Sequence, residues 1–421
     1  MYRGTIFFGL LLCLGLFSCK REAAFENGLW RGVFTTEAGI EIPFQFEVYD
    51  SAGVKQVAFI NGSERLNISD VTLKEDSVTI STPLYATSIK AKLQAEGLQG
   101  TWTRELPGRM QEMKFAAKPN ITWRFSEQAD TTDLQITGRW SVLMKKGEPV
   151  DTTIAVGQFT QEGNKLAGAF LTNTGDSRFL YGEINAGKLY LSSYSGSAPS
   201  LFTATIKDDS TLVDGKSYSG PSASSTWEAS KDDHAELADP YTLTKLKEGK
   251  ETLSFVFPDL EGNQVSIQDD RFKGKVVVVQ FLGSWCPNCM DETAFLSPFY
   301  DRYKSKGVEV VGLAYERYAE QAKAKKAVLN LVERFKINYP ILLTGHTPAN
   351  ALESIPELQS FNAFPTTIIL DKQGKVASIH TGFSGPATGD AYTSFIESFE
   401  RRINNLLTEQ SSVSESNALT E

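Results

Sequence analysis

The chain has 421 residues, of which 41% are hydrophobic, and its formal net charge at pH 7 is -9. This length exceeds that of an ordinary single domain, and the hydrophobic content is ample for packed cores, so we expect a multidomain protein. The acidic balance, without any dense run of basic residues, excludes a general nucleic-acid-binding protein and predicts no nucleic-acid partner.

The N-terminal residues have the pattern of a targeting segment rather than of a folded domain. Arg3 supplies a positive charge, and residues 6–17 form a short apolar core. That core is well below the roughly 20 residues that a permanent membrane-spanning helix requires. We therefore interpret residues 1–18 as a cleaved signal peptide.

The stretch from Leu16 to Cys19 resembles the lipobox of bacterial lipoproteins, although Phe17 stands where a smaller residue is usual. The resemblance implies that Cys19 is lipidated, that residues 19–27 are a tether, and that the protein is anchored in the bacterial cell envelope, facing the periplasm. Lys20 is not the aspartate that retains many lipoproteins in the inner membrane, which favours the outer membrane. An ordinary signal with an incidental cysteine is the alternative.

Residues 28–231 alternate between apolar and polar side chains over short stretches separated by Gly, Asn, Asp and Ser. One such stretch contains Ile42, Phe44, Phe46 and Val48. A period of two predicts antiparallel β-strands. A Gly-x-Trp motif ends at Trp30 and again at Trp140, which indicates an internal duplication. We predict two β repeats, at residues 28–120 and 121–231, that form barrels or sandwiches, or two halves of one.

Four tryptophans occupy corresponding positions in the two repeats: Trp30, Trp102, Trp140 and Trp227. Large aromatic side chains at the ends of repeats are typical of a barrel core, so we predict core packing. A ligand pocket or an anchor for a partner is the alternative.

The rest of the chain changes pattern at a polar stretch, residues 232–250, which we interpret as a linker. Residues 251–407 then alternate strands and helices, which is typical of an α/β domain. The predicted strands are 276–282, 308–314, 339–343, 366–370 and 376–380. The predicted helices are 287–304, 319–335, 356–361 and 391–407. The Ser-, Glu- and Asn-rich residues 408–421 are predicted to be a disordered tail.

Two cysteines, Cys286 and Cys289, directly follow the strand predicted at residues 276–282. That strand is almost continuously apolar, as expected of a central strand covered on both faces. Helix-forming residues follow Cys289, so Cys286 is expected at a helix N-terminus, where unpaired backbone amides and the helix dipole favour a thiolate. A lowered thiol pKa makes a cysteine nucleophilic near neutral pH.

The cysteine count supports redox chemistry at this pair. Of four cysteines, Cys13 is lost with the signal peptide and Cys19 is expected to be lipidated, so none remains for a structural disulfide. In an exported protein a lone Cys-x-x-Cys points to redox work. A metal site is the competing interpretation, but structural zinc requires four ligands and the chain has three histidines, so we predict no metal.

Three motifs in this order resemble the TlpA/ResA-like thioredoxin family: Phe-Lys-Gly-Lys at residues 272–275, Trp-Cys-Pro-Asn-Cys at 285–289, and Phe-Pro-Thr-Thr at 364–367. The resemblance implies a C-terminal thioredoxin fold behind the all-β region. It also implies that Cys286 attacks a substrate disulfide and that Cys289 resolves the mixed disulfide.

The resemblance further implies a cis peptide bond before Pro365, facing the cysteines. An ordinary proline at the start of a strand is the alternative. The residues expected to line the substrate groove are Trp285, Pro287, Asn288, Phe364, Pro365 and Thr366. Because Pro287 and Asn288 replace the Gly-Pro of thioredoxin itself, the direction of electron flow stays open.

Two carboxylates, Glu292 and Glu316, match acidic positions of the family. Both are candidate catalytic residues, since they could move protons to the thiols or raise the thiol pKa values by like charge. A solvated helix face is the alternative for Glu292.

The sequence therefore predicts a lipid-anchored thiol–disulfide oxidoreductase, most simply a reductase of disulfides in exported proteins. Because no nicotinamide or flavin fingerprint is present, we expect no cofactor beyond the Cys286–Cys289 pair, and a membrane thiol relay as electron donor. A thiol peroxidase is an alternative, although Gly283 stands where peroxiredoxins have Thr or Ser. A binding or assembly lipoprotein that uses its β region is a second alternative.

Overall fold

The computed structural model describes residues 24–128, 130–147, 151–318 and 320–409. The predicted signal peptide, Cys19 and residues 410–421 of the predicted tail lie outside these ranges. Within them, no helix combines the length and the apolar character needed to cross a membrane.

A first β domain consists of a single antiparallel sheet. Its strands are β1 (Gly28–Thr35), β2 (Glu41–Ser51), β3 (Val54–Asn61), β4 (Glu64–Ile68), β5 (Val71–Lys74), β6 (Ser77–Thr82), β7 (Thr87–Gln94), β8 (Gly97–Leu106) and β9 (Arg109–Pro119). They follow the order β4-β3-β2-β1-β9-β8-β7-β6-β5, so that β1 and β9 meet in the middle of the sheet. A short 3-10 helix, Pro83–Tyr85, connects β6 to β7.

A second β domain repeats this arrangement but closes on itself. Its strands are β10 (Gly138–Lys146), β11 (Asp151–Glu162), β12 (Lys165–Thr172), β13 (Gly175–Asp176), β14 (Leu180–Asn185), β15 (Lys188–Ser193), β16 (Ser200–Asp208), β17 (Thr211–Ser219) and β18 (Ala223–Lys231). The order is β11-β10-β18-β17-β16-β15-β14-β12-β13, and an additional β11–β12 pairing closes the barrel. Strand β13 lies outside this ring as a short hairpin with β12.

The predicted duplication is visible in the surroundings of the tryptophans. The Trp30 indole Nε1 donates a hydrogen bond to the Glu26 carbonyl oxygen at 3.0 Å, and the Trp140 Nε1 donates to the Ile136 carbonyl oxygen at 2.9 Å, each four residues earlier. All four tryptophans are buried in the two β cores: Trp30, Trp102, Trp140 and Trp227. The prediction of core packing is confirmed.

The two β domains interlock through Tyr194 of the second domain. Its ring lies 4.7 Å from the Phe34 ring and 4.9 Å from the Phe44 ring, centroid to centroid, inside the core of the first domain. The Trp102 Nε1 donates a hydrogen bond to the Tyr194 hydroxyl at 3.1 Å, which satisfies two buried polar groups at once. The joint is therefore a packed and hydrogen-bonded interface rather than a flexible connection.

The C-terminal domain has the thioredoxin fold. Its strands are β19 (Lys245–Leu246), β20 (Val256–Pro258), β21 (Gln264–Ser266), β22 (Val276–Leu282), β23 (Val308–Ala314), β24 (Ile341–Leu343), β25 (Leu358–Ser360), β26 (Thr366–Leu370) and β27 (Val376–Thr381). Its helices are α1 (Pro287–Tyr303), α2 (Gln321–Phe335) and α3 (Asp390–Thr408). Short 3-10 helices cover Lys304–Lys306, Pro348–Ser354 and Pro386–Thr388.

The main sheet of this domain has the order β24-β23-β22-β26-β27. Strands β22, β23 and β24 are parallel, whereas β26 and β27 run antiparallel to their neighbours. Alternate residues of β22 enter two different apolar cores, one against the three helices and one on the opposite face. Burial on both faces explains the continuous apolar run that predicted this strand.

One expectation about the chain around this sheet is wrong, and the structure adds detail to two others. The helix predicted at residues 356–361 is absent, because Leu358–Ser360 forms strand β25 and pairs with β19. Strand β19 itself lies in the predicted linker, residues 232–250, where Thr244 is buried and accepts a hydrogen bond from the Thr381 hydroxyl at 2.7 Å. The polar linker therefore packs onto the thioredoxin-fold domain. The last helix also extends to Thr408, one residue into the predicted tail.

Candidate active site

The two cysteines lie where β22 passes into α1, and they form a disulfide. Helix α1 begins at Pro287 with Cys286 as its N-cap, as the sequence predicted. The Cys289 backbone N–H donates to the Cys286 Sγ at 3.2 Å. In the reduced state the same donor would stabilise a Cys286 thiolate, since a hydrogen bond to a charged form lowers its pKa.

Burial distinguishes the two sulfurs only slightly. Cys286 is 4% exposed and Cys289 is fully buried. Cys286 is therefore the more accessible of the two cysteines, which agrees with the attacking role expected for it and the resolving role expected for Cys289.

The predicted proline lies beside the pair. The Phe364–Pro365 peptide bond is cis, and the Phe364 carbonyl oxygen lies 3.6 Å from the Cys286 Sγ. The buried Thr366 begins β26 and donates its hydroxyl to the Ala363 carbonyl oxygen at 2.7 Å. The structure thus brings the motif at residues 364–367 onto the cysteines from a distant part of the chain.

Trp285 forms one wall of the site. Its indole Nε1 donates to the Tyr315 carbonyl oxygen at 2.8 Å, and its ring meets the Phe364 ring edge-on at 5.5 Å. The Arg317 guanidinium lies 4.3 Å from the centroid of the indole ring, a cation–π contact. These contacts hold the indole in one orientation beside Cys286.

Glu292 is not on a solvated helix face, because it is only 1% exposed. Its carboxylate accepts hydrogen bonds from the Gln280 side-chain amide at 2.8 Å and from the Thr367 hydroxyl at 2.6 Å. Burial raises the pKa of Glu292 to about 7, although both hydrogen bonds act to lower it. A carboxyl group with such a pKa can accept and release a proton near neutral pH.

Glu316 lies on the other side of the loop that leads to the cysteines and is 4% exposed. It accepts the Ser284 backbone N–H at 2.8 Å and the Ser284 hydroxyl at 2.7 Å. Burial raises the pKa of Glu316, with both hydrogen bonds opposing the shift. This carboxyl group supports the backbone immediately before Trp285 and Cys286.

Pro287 and Asn288 face the second β domain. The Asn288 side-chain amide donates to the Asp176 carbonyl oxygen at 3.2 Å, and the Arg178 Nη1 donates to the Pro287 carbonyl oxygen at 3.2 Å. Sequence reasoning missed Asp176 and Arg178, since nothing in the β pattern marks them. It also missed Gln280, although one polar residue in the otherwise apolar β22 was a usable signal.

A buried cysteine pair that forms a disulfide at the start of a helix, facing a cis-proline loop, defines a thioredoxin-fold redox protein that exchanges thiols and disulfides. In the part of the chain that the structure describes, no group of three or more His, Cys, Asp or Glu side chains is placed to hold a metal ion.

Comparison with known proteins gives the family. The Redoxin family model matches residues 247–393. The thiol-disulfide oxidoreductase ResA of Bacillus cereus is 33% identical over 132 residues, which cover 31% of this chain and 68% of that protein. ResA of Bacillus subtilis is 30% identical over 138 residues, covering 32% and 69%. The chain belongs to the ResA/TlpA-like family of thioredoxin-fold thiol–disulfide oxidoreductases.

Solved structures are also similar to part of this chain. A putative thiol:disulfide interchange protein DsbE from Chlorobium tepidum covers 39% of this chain and 99% of its own, with 22% identity and a TM-score of 0.31. The thioredoxin domain of a thiol-disulfide oxidoreductase from Bacteroides vulgatus covers 37% and 99%, with 29% identity and a TM-score of 0.28. The Redoxin match begins at residue 247 and so does not include the two β domains.

Proposed function

We propose that this thiol–disulfide oxidoreductase works in the bacterial cell envelope, where it reduces disulfides in exported proteins. The observation that carries the proposal is the position of Cys286, which caps α1 and has its Sγ 3.6 Å from the carbonyl oxygen of the residue before Pro365. A nucleophilic sulfur at a helix N-terminus, beside the carbonyl of the residue before Pro365, is suited to attack a disulfide that reaches it.

The reaction begins with the reduced pair. The Cys286 thiolate attacks one sulfur of the substrate disulfide, so that a mixed disulfide forms and the other substrate sulfur leaves as a thiolate. Cys289 then attacks the Cys286 Sγ, which releases the second substrate sulfur and closes the Cys286–Cys289 disulfide present in this structure. The substrate gains two electrons and the cysteine pair loses two.

Glu292 supplies a proton acceptor for the second step. Cys289 must lose its proton to attack, and it is fully buried, so water is a poor acceptor there. Glu292 is one turn further along α1 and has a pKa of about 7, raised by burial. We assign it the role of general base for Cys289, and Glu316 the role of holding the loop before Cys286.

The remaining parts of the proposal concern location and electron supply. We assign residues 1–18 to a lipoprotein signal peptide and Cys19 to lipidation, with the folded domains facing the periplasm, at the outer membrane. The enzyme uses no cofactor beyond its cysteine pair. A membrane thiol relay returns two electrons to the Cys286–Cys289 disulfide after each turnover.

Reduction of insulin by the reduced full-length protein tests the activity. We expect wild-type protein to reduce insulin, Cys286→Ser to abolish this, and Cys289→Ser to accumulate mixed disulfides on Cys286. Reduction that survives Cys286→Ser would exclude the mechanism. A Cys289→Ser variant that forms no adduct in cells of the native host would exclude exported proteins as substrates.

Membrane fractionation tests the location separately. Wild-type protein is expected in the membrane fraction, and mass spectrometry of its N-terminal peptide is expected to show that residues 1–18 are removed and that Cys19 carries the lipid. An unmodified Cys19 in the membrane-bound protein would contradict lipidation without affecting the redox mechanism.

A further inference from the structure

A short turn of the second β domain lies directly against the redox motif. Residues 173–178, here called the groove hairpin, connect β12 through β13 toward β14. The Asp176 carbonyl oxygen accepts a hydrogen bond from the Asn288 side chain at 3.2 Å. The Arg178 Nη1 donates to the Pro287 carbonyl oxygen at 3.2 Å. The groove hairpin therefore contacts both residues that separate the two cysteines.

The groove hairpin also reaches the loop behind the cis proline. The Asp176 carboxylate accepts the Gly385 backbone N–H at 2.6 Å. A Cβ atom at Gly382 would lie 2.9 Å from the Asn173 carbonyl oxygen, and Gly382 donates its own N–H to the Pro365 carbonyl oxygen at 2.8 Å. The groove hairpin thus extends from the cysteine-bearing turn to the loop at residues 382–385, which is itself hydrogen-bonded to Pro365.

The fit of the groove hairpin depends on a glycine. Gly175 has φ of 140°, a conformation that side chains disfavour, and a Cβ atom there would lie 2.5 Å from the Asn288 Oδ1. A larger residue there would strain the backbone and displace the Asn288 side chain. The backbone at Gly175 approaches the redox motif more closely than another residue type would allow.

Arg178 holds the groove hairpin in place with buried ion pairs. Its guanidinium donates to the Asp291 carboxylate at 2.8 Å and to the Glu64 carboxylate of the first β domain at 2.8 Å. The exposed side-chain fractions of Arg178, Asp291 and Glu64 are 11%, 13% and 7%. Charges removed from water in this way require well-defined partners, so they specify one position for the hairpin.

The first β domain covers the opposite edge of the site. The Tyr318 hydroxyl donates to the Glu105 carbonyl oxygen at 3.4 Å, close to Arg317, which covers the outer face of Trp285. Cys286 itself is only 4% exposed. A disulfide within a polypeptide must bring flanking backbone to this sulfur, whereas a small disulfide need bring only its own few atoms.

We propose that the groove hairpin is a size-selective element of the redox site: it bridges Asn288 and the loop at residues 382–385, and so hinders the approach of a polypeptide to Cys286 more than that of a small disulfide. Protein disulfides then react only in molecules whose groove hairpin is displaced, so their apparent affinity is reduced by the fraction in that state. This inference rests on the proposed reductase function and specifies its substrate class.

Two glycine variants of the full chain, in detergent, test the proposal. Gly175→Val strains the backbone of the groove hairpin and displaces the Asn288 side chain, which removes the hydrogen bond from Asn288 to the Asp176 carbonyl oxygen and loosens the hairpin. Gly187→Val is the matched control, because Gly187 also has a positive φ, 68°, in the same domain, and among the described residues nothing lies within 4 Å of its added Cβ atom. Each protein is assayed with insulin and with hydroxyethyl disulfide as substrates.

We expect Gly175→Val to raise kcat/KM for insulin by about five-fold or more, and that for hydroxyethyl disulfide by less than about two-fold. Gly187→Val should leave the ratio of the two values unchanged. An unchanged or reduced insulin rate in Gly175→Val overturns the proposal, as does equal acceleration of both substrates. Activity of wild-type protein on neither substrate would instead contradict the proposed function itself.

Alkylation of reduced wild-type protein tests the proposal without any variant, in case Gly175→Val does not fold. Cys286 is treated with N-ethylmaleimide or with a maleimide coupled to a small folded protein, and its adducts are followed by peptide mapping. For Cys286 and for a thiol peptide, the rate with the protein-coupled maleimide is divided by the rate with N-ethylmaleimide under the same conditions. We expect this ratio to be at least about ten-fold lower for Cys286 than for the peptide. Equal ratios would overturn the proposal.

Discussion

Asp291 and Glu292 are consecutive carboxylates of α1, and they face two different regions of the molecule. Glu292 points into the thioredoxin-fold domain, where neutral donors on β22 and β26 hold it. Asp291 points outward to the junction with both β domains, where it pairs with Arg178. Burial raises the pKa of each to about 7, opposed by Arg178 for Asp291 and by neutral hydrogen bonds for Glu292.

The difference shows how one helix serves two purposes. Neutral hydrogen-bonding partners leave Glu292 free to gain or lose a proton, which suits a group that serves the cysteines. A charged partner makes Asp291 part of an ion-pair cluster, which suits a group that fastens domains. The inner side of α1, which carries Glu292, therefore serves the redox chemistry. The outer side, which carries Asp291, holds the groove hairpin in position.

Removal of Arg178 should have the largest effect on stability, because it removes the ion pairs on the outer side of α1. Arg178→Ala leaves the buried Glu64 and Asp291 carboxylates without their cationic partner, although Glu64 keeps the hydrogen bond from the Asn61 side-chain amide. We therefore expect a loss of about 3–5 kcal/mol in the free energy of unfolding. Urea titration measures it. The control is Lys145→Ala in the same domain, whose ion pair with Glu228 is exposed and should contribute less than about 1 kcal/mol. Similar losses in both variants would contradict the fastening role.

The pH dependence of stability tests the role of Glu292 on the inner side of α1. The folded-state pKa of Glu292 is raised from 4.5 to about 7, so the folded protein binds this proton more tightly than the unfolded chain. Its contribution therefore favours folding below about pH 4.5 and is lost as pH rises toward 7. We expect Glu292→Gln to flatten this decline by on the order of 2–3 kcal/mol.

Urea titrations between pH 4.5 and pH 8 would measure that slope. Asp291→Asn is the parallel variant on the outer side, since burial likewise raises the Asp291 pKa from 3.8 to about 7. An unchanged slope in Glu292→Gln would show that this carboxyl group does not bind a proton in the folded protein across that range.

Thr367→Val should have a smaller effect, confined to the inner side of α1. The Thr367 hydroxyl lowers the pKa of Glu292 by donating a hydrogen bond to its carboxylate. Its loss should move the acidic limb of the pH–rate profile upward by about one pH unit, equivalent to about 1.4 kcal/mol. Single-turnover insulin reduction at a series of pH values is the measurement. A profile that stays in place would remove Glu292 from the proton transfer.

Lys323→Ala should have the smallest effect, although it also lies at a domain boundary. The Lys323 Nζ is 3.6 Å from the Glu105 carboxylate, and both side chains are about half exposed, at 52% and 51%. Exposed ion pairs contribute at most about 1 kcal/mol, so thermal unfolding should be nearly unchanged. A large loss of stability would show that this contact also fastens the first β domain.

Local pattern predicted much of the redox domain. The continuous apolar run of β22, the cysteine pair and the Phe-Pro-Thr-Thr motif each carry their information within a few residues. The same holds for the β domains, where alternation and the repeated Gly-x-Trp gave the duplication. The helix expected at residues 356–361 failed because its strand pairing with Lys245–Leu246 involves residues more than a hundred positions away.

The sequence by itself determined the type of reaction, because the spacing of Cys286 and Cys289 and the helix that follows are local properties. Tertiary structure alone decided what surrounds that pair. Asp176 and Asn288 are 112 positions apart, and no local pattern relates them. Their contact exists because two folded domains pack together and place a glycine turn, an arginine and two carboxylates at one junction, and such packing depends on complementary surfaces that only the complete fold creates.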